Sequence, residues 1–269
     1  MKISVITVCF NSARFIAQAI QSVLSQDHPN FELVIVDGGS TDGTVELIRR
    51  YAERDRRIIW RSEPDQGISD AMNKGVSMAS GEVISHLNSD DYYPHAGVLS
   101  RVDAVLNSHS ETPWLTGGLT FVAEDGGVLR EMRPRRYSFR RLLRGNILLH
   151  PATFIRRHAF LDVGAFNLAL QYCMDYDLFL RLGRLAPPLI LDESLACFRA
   201  HPGSRSIVFS EQAYAEEFKV RVNHLRETGR MVWPYQLDYQ IKRRFNKLIN
   251  RRLLDNSRSD TARGNSCPK

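Results

Sequence analysis

Phe31-Glu32-Leu33-Val34-Ile35-Val36-Asp37-Gly38-Gly39-Ser40-Thr41-Asp42-Gly43-Thr44 passes from an apolar, β-branched run into an acid, two glycines and a cluster of small polar residues. The first part has the length and composition of a buried strand, and Asp37-Gly38-Gly39 ends it. Ser40 or Thr41 can cap the helix predicted from about Thr44 to Arg54. Upstream, Ile3 to Phe10 reads as another strand and Asn11-Ser12 as an N-cap. Phe15, Ile16, Ala19, Ile20, Val23 and Leu24 then follow at helical spacing. Two strand-helix units in succession predict a parallel sheet, because parallel neighbours need a crossover helix where antiparallel ones need only a turn.

The same alternation continues downstream. Ile58-Ile59-Trp60 predicts a third strand, the loop Glu63 to Asp70 leads into a helix ending near Ala79, and Val83 to Leu87 predicts a fourth strand that stops at Asn88-Ser89-Asp90-Asp91. Three consecutive strand tips thus carry acids, at Asp37, Asp65 and Asp90-Asp91. The carboxyl ends of parallel strands are where open α/β sheets bind ligands. Two adjacent carboxylates are costly to hold ionised together, and a divalent cation would relieve that cost; a polar turn is the rival reading. Asp37 can accept from a sugar hydroxyl or base edge, or simply form a turn before Gly38. Lys74, on the helix after Asp65, can reach a phosphate or be solvated. The glycine loop has neither the G-x-G-x-x-G nor the Walker A spacing, which disfavours a dinucleotide-binding protein.

With 269 residues, 43% of them hydrophobic, the chain can bury a sizeable core. Its net charge of +6 is unevenly placed: residues 1–206 hold 23 basic and 23 acidic side chains, and residues 207–269 hold 13 and 7. Cys9, Cys173, Cys197 and Cys267 form no C-x-x-C pair, so neither a zinc knuckle nor a disulfide framework is indicated, and a reducing cytoplasm is the expected home. The apolar start, Ile3 to Phe10, reads as a strand rather than a signal peptide, and no run approaches the ~20 apolar residues of a membrane span.

Further along, a helix is expected from about Pro94 to Asn107, a strand from Trp114 to Val122, a hairpin turn at Glu124 to Gly127 and a short strand at His150 to Ile155. Arg130, Arg133, Arg135, Arg136, Arg140, Arg141 and Arg144 lie between, interleaved with Tyr137, Phe139, Leu142 and Leu143. They read either as a solvated face or as a contact for an anionic leaflet or phosphorylated lipid. Asp175 falls in the first turn of a helix set by Tyr176, Phe179, Leu180 and Leu182. Residues from about Ser210 to Glu227 and from Tyr235 to Leu254 predict two more helices, the second basic and amphipathic.

Val5 to Asn11, Leu33 to Thr44, Pro64 to Gly75 and Leu87 to Asp91, in that order and spacing, resemble the inverting family 2 glycosyltransferases. The resemblance extends more loosely to about residue 206. It implies a GT-A fold: a Rossmann-like, mostly parallel α/β sheet flanked by helices. Residues 1–206 would form the transferase domain, with about 1–92 the nucleotide-sugar half and 93–206 the acceptor half. A helical basic extension over 207–255 and a disordered tail over 256–269 would follow.

By position, the resemblance makes Asp37 and Asp65 nucleoside-contacting acids, with Thr7 and Asn11 near base and ribose and Lys74, Ser89 and Arg205 toward the donor. The family's D-x-D element maps onto Asn88-Ser89-Asp90. Asn88 replaces its first acid and Asp90 becomes the first choice as ligand for Mg²⁺ or Mn²⁺, with Asp91 second and His201 a metal or diphosphate contact. Asp175 matches the second acid of a Glu-Asp pair, the catalytic base, while Met174 stands where the Glu would be. The implied partners are a nucleotide-sugar donor, UDP-linked by preference, and a glycan or lipid-linked acceptor. Peripheral contact at the inner membrane face is expected through the basic C-terminal helices. Nucleic acid is not expected, since the basic residues have no RRM, zinc-finger or helix-turn-helix setting.

Overall fold

A computed structural model describes residues 1–203, 210–237, 239 and 240. The chain divides into two compact units, Met1–Val220 and Arg221–Lys269. Arg205, the tail after residue 255 and most of the expected second C-terminal helix lie outside the described residues.

In the first unit, β1 (Ile3–Cys9), α1 (Ile16–Leu24), β2 (Phe31–Asp37), α2 (Thr44–Ala52), β3 (Ile58–Ser62), α3 (Ile68–Met78) and β4 (Val83–His86) follow in strict alternation. β1 is the centre of this half, parallel to β2 on one side and to β4 on the other, and β3 lies parallel beyond β2. All seven residues of β1 are buried. Ile3, Val5 and Cys9 join Ile16, Ile20 and Val23 of α1 in the main apolar cluster. Ile6, on the opposite face, meets Gly75 of α3. A strand covered by helices on both faces reads as a largely apolar run, which is why β1, β2 and β4 are legible, while the edge strand β3 is buried only at Ile58. Each such Ile or Val is worth about 1.5–3 kcal/mol of burial.

The second half is built differently. It comprises α4 (Val98–Ser108), β5 (Trp114–Val122), β6 (Val128–Met132), α5 (Phe139–Leu142), a 3₁₀ turn (His150–Ala152), β7 (Thr153–Arg156), α6 (Arg157–Asp162), α7 (Met174–Leu185), β8 (Leu189–Arg199) and α8 (Ser210–Glu227), which crosses into the second unit. The sheet order is β3-β2-β1-β4-β7-β5-β6, and β8 pairs with β5. β7 is antiparallel to both β4 and β5, β6 is antiparallel to β5, and β8 is parallel to β5. The hairpin expected at Glu124 to Gly127 joins β5 to β6. The α4 helix starts four residues later than expected, because Gln26 caps it through the N–H of Leu99 at 3.0 Å.

The sequence pattern predicts no strand at β8. Its apolar ends are interrupted by Asp192-Glu193-Ser194, and its pairing with β5 shifts register beside Gly117 and Gly118. A Cβ on Gly117 would lie 2.5 Å from Leu195 Cγ, so the close approach of these strands depends on a residue with no side chain.

Candidate active site

The carboxyl end of β4 delivers residues 88–91, and the end of β8 delivers Arg199 to His201. Tyr92 and Cys197 lock the two together by a reciprocal backbone pair, Tyr92 N–H to Cys197 O at 3.1 Å and Cys197 N–H to Tyr92 O at 2.7 Å. The result is a meeting of residues 111 apart: His201 Nε2 lies 2.9 Å from Asp90 Oδ2. Gly203 N–H donates to Nδ1 of the same ring at 3.2 Å. That bond favours the tautomer with its proton on Nε2, which then donates to Asp90.

Arg199 holds this corner. The residue is 2% exposed, and its guanidinium donates to the carbonyls of Asp90 at 3.1 Å and Glu124 at 2.7 Å and to Gln18 and lies over the Phe15 ring. Its backbone N–H donates to Asp91 Oδ1 at 3.1 Å, while Asn88 Nδ2 donates to Asp91 Oδ2 at 3.1 Å. Asp91 is therefore turned inward at 1% exposure with both oxygens engaged, and it is not a ligand facing the crevice. Burial and then the neighbouring Asp90 push its carboxyl well above the usual range, against the bonds from Arg199 and Asn88. Ser89 is also inward, its hydroxyl donating to Ser12 at 2.9 Å.

The donor set at this corner is compatible with a divalent ion. Among the described residues no three His, Cys, Asp or Glu side chains converge, but Asp90 and His201 do as a pair. A hard cation held largely by substrate phosphates and water needs only one or two protein ligands. Asp90 would be the first of these. His201 would join it only by moving its proton to Nδ1 and giving up the bond from Gly203.

Asp37 is buried at the end of β2. Its Oδ2 accepts from the N–H groups of Gly39 at 3.0 Å and Ser40 at 2.9 Å and from Ser62 Oγ at 2.7 Å, and its Oδ1 takes the Ser40 hydroxyl. Burial works to raise its pKa, and these bonds overcome it, holding the carboxyl below the usual range. With its acceptor sites used this way, Asp37 organises the loop. Asn11 ties into the same loop at φ 49, accepting from Thr41 N–H at 3.0 Å while its own N–H donates to Ser40 Oγ at 2.7 Å. Thr7 is 1% exposed inside the sheet, so the expectation that it meets the nucleoside fails on burial. The exposed aromatic at that end of β1 is Phe10, at 64%.

Asp65 stands against this loop, with Oδ1 accepting from Gly67 N–H at 2.8 Å. A Cβ built on Gly38 would come within 2.7 Å of Asp65 Oδ2 and 3.4 Å of Phe10. Lys74 does not point at an open crevice. It pairs with Asp70 at 3.0 Å and Glu63 at 3.3 Å and donates to Pro64 O at 3.1 Å, clamping the loop that carries Asp65. Gly38→Ala is expected to displace the Asp65 carboxylate, the movable partner, while Tm stays within a few degrees, and if Asp65 contacts a nucleotide donor as the resemblance implies, the donor KM rises about tenfold. Steady-state kinetics beside thermal denaturation checks both.

Asp175 opens α7. Its Oδ2 accepts from Asn146 Nδ2 at 3.0 Å and its Oδ1 from the N–H of Tyr176 at 2.7 Å. Burial raises its pKa to about 6, with those two bonds acting the other way. Glu216 of α8 supports the approach to this helix, accepting from the N–H groups of Gln171 at 3.0 Å, Tyr172 at 2.7 Å and Cys173 at 2.8 Å. Glu216→Ala strips the partner from all three N–H groups and is expected to cost about 1–3 kcal/mol, measured by urea unfolding. Phe10, Asn146, Arg199 and Glu216, which the geometry places around these groups, carry no sequence pattern that assigns them a role. Only Phe10, an aromatic at a strand tip, left a local trace.

A parallel nucleotide-type half with acids at its strand tips, joined through β7 to a mixed half that returns a His to the fourth tip, is the GT-A architecture. Solved structures agree on the fold. Staphylococcus aureus TarS 1–349 in complex with UDP-GlcNAc matches at TM-score 0.67 and 20% identity, over 89% of this chain and 70% of that one. A mannosyltransferase from Pyrobaculum calidifontis in complex with GDP-Man and Mn²⁺ matches at 0.60 and 20%, over 84% and 63%. The chain belongs to glycosyl transferase family 2, whose model matches residues 4–161. A "PGL/p-HBAD biosynthesis glycosyltransferase" of Mycobacterium bovis is 32% identical over 182 residues, 66% of this chain and 68% of that protein. An uncharacterized glycosyltransferase of Rickettsia conorii is 32% identical over 223 residues, 76% of this chain and 35% of that protein. The protein is a glycosyltransferase.

Proposed function

We propose that the protein is an inverting, metal-dependent transferase. It moves a sugar from a UDP-sugar to a hydroxyl of a glycan or lipid-linked acceptor, on the cytoplasmic side of surface polysaccharide or lipid-linked glycan assembly. The observation that carries this reading is Asp175: a carboxylate at a helix start, half-buried, held by Asn146, with its pKa raised to about 6. A base so placed is ionised at neutral pH and still basic enough to take a hydroxyl proton.

In a single displacement, Asp175 accepts the acceptor's proton as the acceptor oxygen bonds to the anomeric carbon. The bond from that carbon to the diphosphate oxygen breaks on the opposite face, and the electron pair leaves with the nucleotide. The ion that Asp90 would hold supplies charge stabilisation on the leaving diphosphate. His201 would donate its Nε2–H to a diphosphate oxygen, instead of ligating, by turning that proton away from Asp90 once the ion takes the carboxylate. Phe10 offers a face for the base, and Asp65 accepts from ribose or base edge. Asp37 and Asn11 act by fixing the loop beneath them, and Asn88 and Ser89 by fixing the loop of Asp90.

Thermal denaturation with UDP-, GDP- and dTDP-sugars, each with Mn²⁺ and with EDTA, tests the donor and the metal together, since binding to the native state raises apparent stability. Stabilisation by a UDP-sugar that EDTA abolishes is expected. Stabilisation by a GDP-sugar alone would overturn the nucleotide assignment, and an effect indifferent to EDTA would overturn the metal. Nucleotide release that requires an acceptor separates transfer from mere binding.

A further inference from the structure

We propose that the segment Arg130–Arg144, together with Val128 and Leu129, is the surface by which the protein rests on an anionic lipid leaflet. Seven arginines and a single acid, Glu131, occupy these fifteen positions, in a stretch of 206 residues that is otherwise more acidic than basic. All seven arginines are exposed. Arg133 pairs with Asp192 at 3.0 Å, and Arg130 stacks over Phe121. Among the described residues no carboxylate lies in salt-bridge range of Arg135, Arg136, Arg140, Arg141 or Arg144.

The segment has two sides. Tyr137 meets Trp114 edge-on at 6.4 Å, Phe139 lies against Gly183 of α7, and Leu142 and Leu143 are fully buried. Arg141 Nη1 donates to Arg136 O at 2.9 Å, drawing the two halves of the basic surface together. Beside it β6, an edge strand, exposes Val128 at 68% and Leu129 at 60%. Anchored aromatics within, uncompensated arginines without and two apolar side chains at the margin match an interface of anionic headgroups over hydrocarbon. A soluble polyanion would complement the charge but leave Val128 and Leu129 unused.

This surface is also tied to the candidate base. Tyr176 Oη donates to Leu142 O at 2.8 Å, and the chain leaving α5 brings Asn146 to Asp175. A leaflet docked here would lie close to α7 and Asp175, the side on which the proposed function brings in its acceptor. The proposal concerns docking alone and does not depend on the transfer reading.

The test is cosedimentation of the full chain with vesicles of phosphatidylcholine alone and of phosphatidylcholine mixed with phosphatidylglycerol. Binding to the mixed vesicles only, weakening as salt rises, is expected. The triple variant Arg135→Ser, Arg136→Ser, Arg140→Ser should lose about a hundredfold, at roughly a factor of five per arginine. The pair Val128→Ser, Leu129→Ser should weaken binding at every salt concentration. All these positions are exposed, and thermal denaturation confirms that the variants fold. A control with Lys242→Ser, Arg243→Ser, Arg244→Ser removes equal charge from the C-terminal region. Equal binding to both vesicle types, or a triple variant in the segment that binds like the wild type, overturns the proposal, whatever the control does.

Discussion

Asp175→Asn is expected to lower kcat by about 10²–10⁴-fold while leaving stabilisation by the donor unchanged. The substitution keeps the side-chain size and one of the two accepted hydrogen bonds, from Asn146 or from Tyr176 N–H, but an amide is too weak a base to take the acceptor proton. Asn146 donates to Oδ2 and Tyr176 N–H to Oδ1, so the carboxylate is fixed in direction before any acceptor arrives. Loss of donor binding in this variant would place Asp175 on the donor side instead. Transfer at the wild-type rate would remove it from the chemistry.

Asp90→Ala should act on the other partner. Asp90 is the carboxylate of the fourth strand tip that keeps an outward face, whereas Asp91 is locked inward by Arg199 and Asn88. Removing it is expected to abolish metal-dependent stabilisation by the nucleotide sugar and to lower turnover by about 10²–10³-fold, the scale on which a single electrostatic contact to a leaving group acts. Asp91→Asn should instead reduce stability, because its role is to bind Arg199 to the loop. The two variants therefore separate ligand from scaffold.

The first half of the fold is legible because β1, β2 and β4 are buried along their whole length and read as largely apolar runs, with the edge strand β3 marked by a shorter one, and helices of regular period lie between them. Sequence also placed Asp90 and His201 in one site, although the strand that brings them together, β8, went unseen. Its charged middle faces out, and its pairing rests on glycines in β5. What sequence does not carry is how far each polar group is already spoken for. Asp37 has the residue type of a nucleotide contact, yet four loop and strand donors occupy it. Thr7 has the right position and the wrong burial. Lys74 has the right charge, spent on Glu63 and Asp70. Asn146 and Glu216 reach Asp175 and its helix from 29 residues before Asp175 and from another helix after it, separations at which no local pattern survives.

The measurement closest to the central claim is the pH dependence of kcat/KM for wild type and Asn146→Ala, since it asks whether transfer depends on the ionisation of Asp175. A base must be unprotonated to work, so activity should fall on the acid side, by about tenfold per pH unit below the pKa raised to about 6. Asn146 favours the ionised form, and its loss should move that limb to higher pH. A flat profile through this range, or a limb that Asn146→Ala leaves in place, would contradict Asp175 as the base.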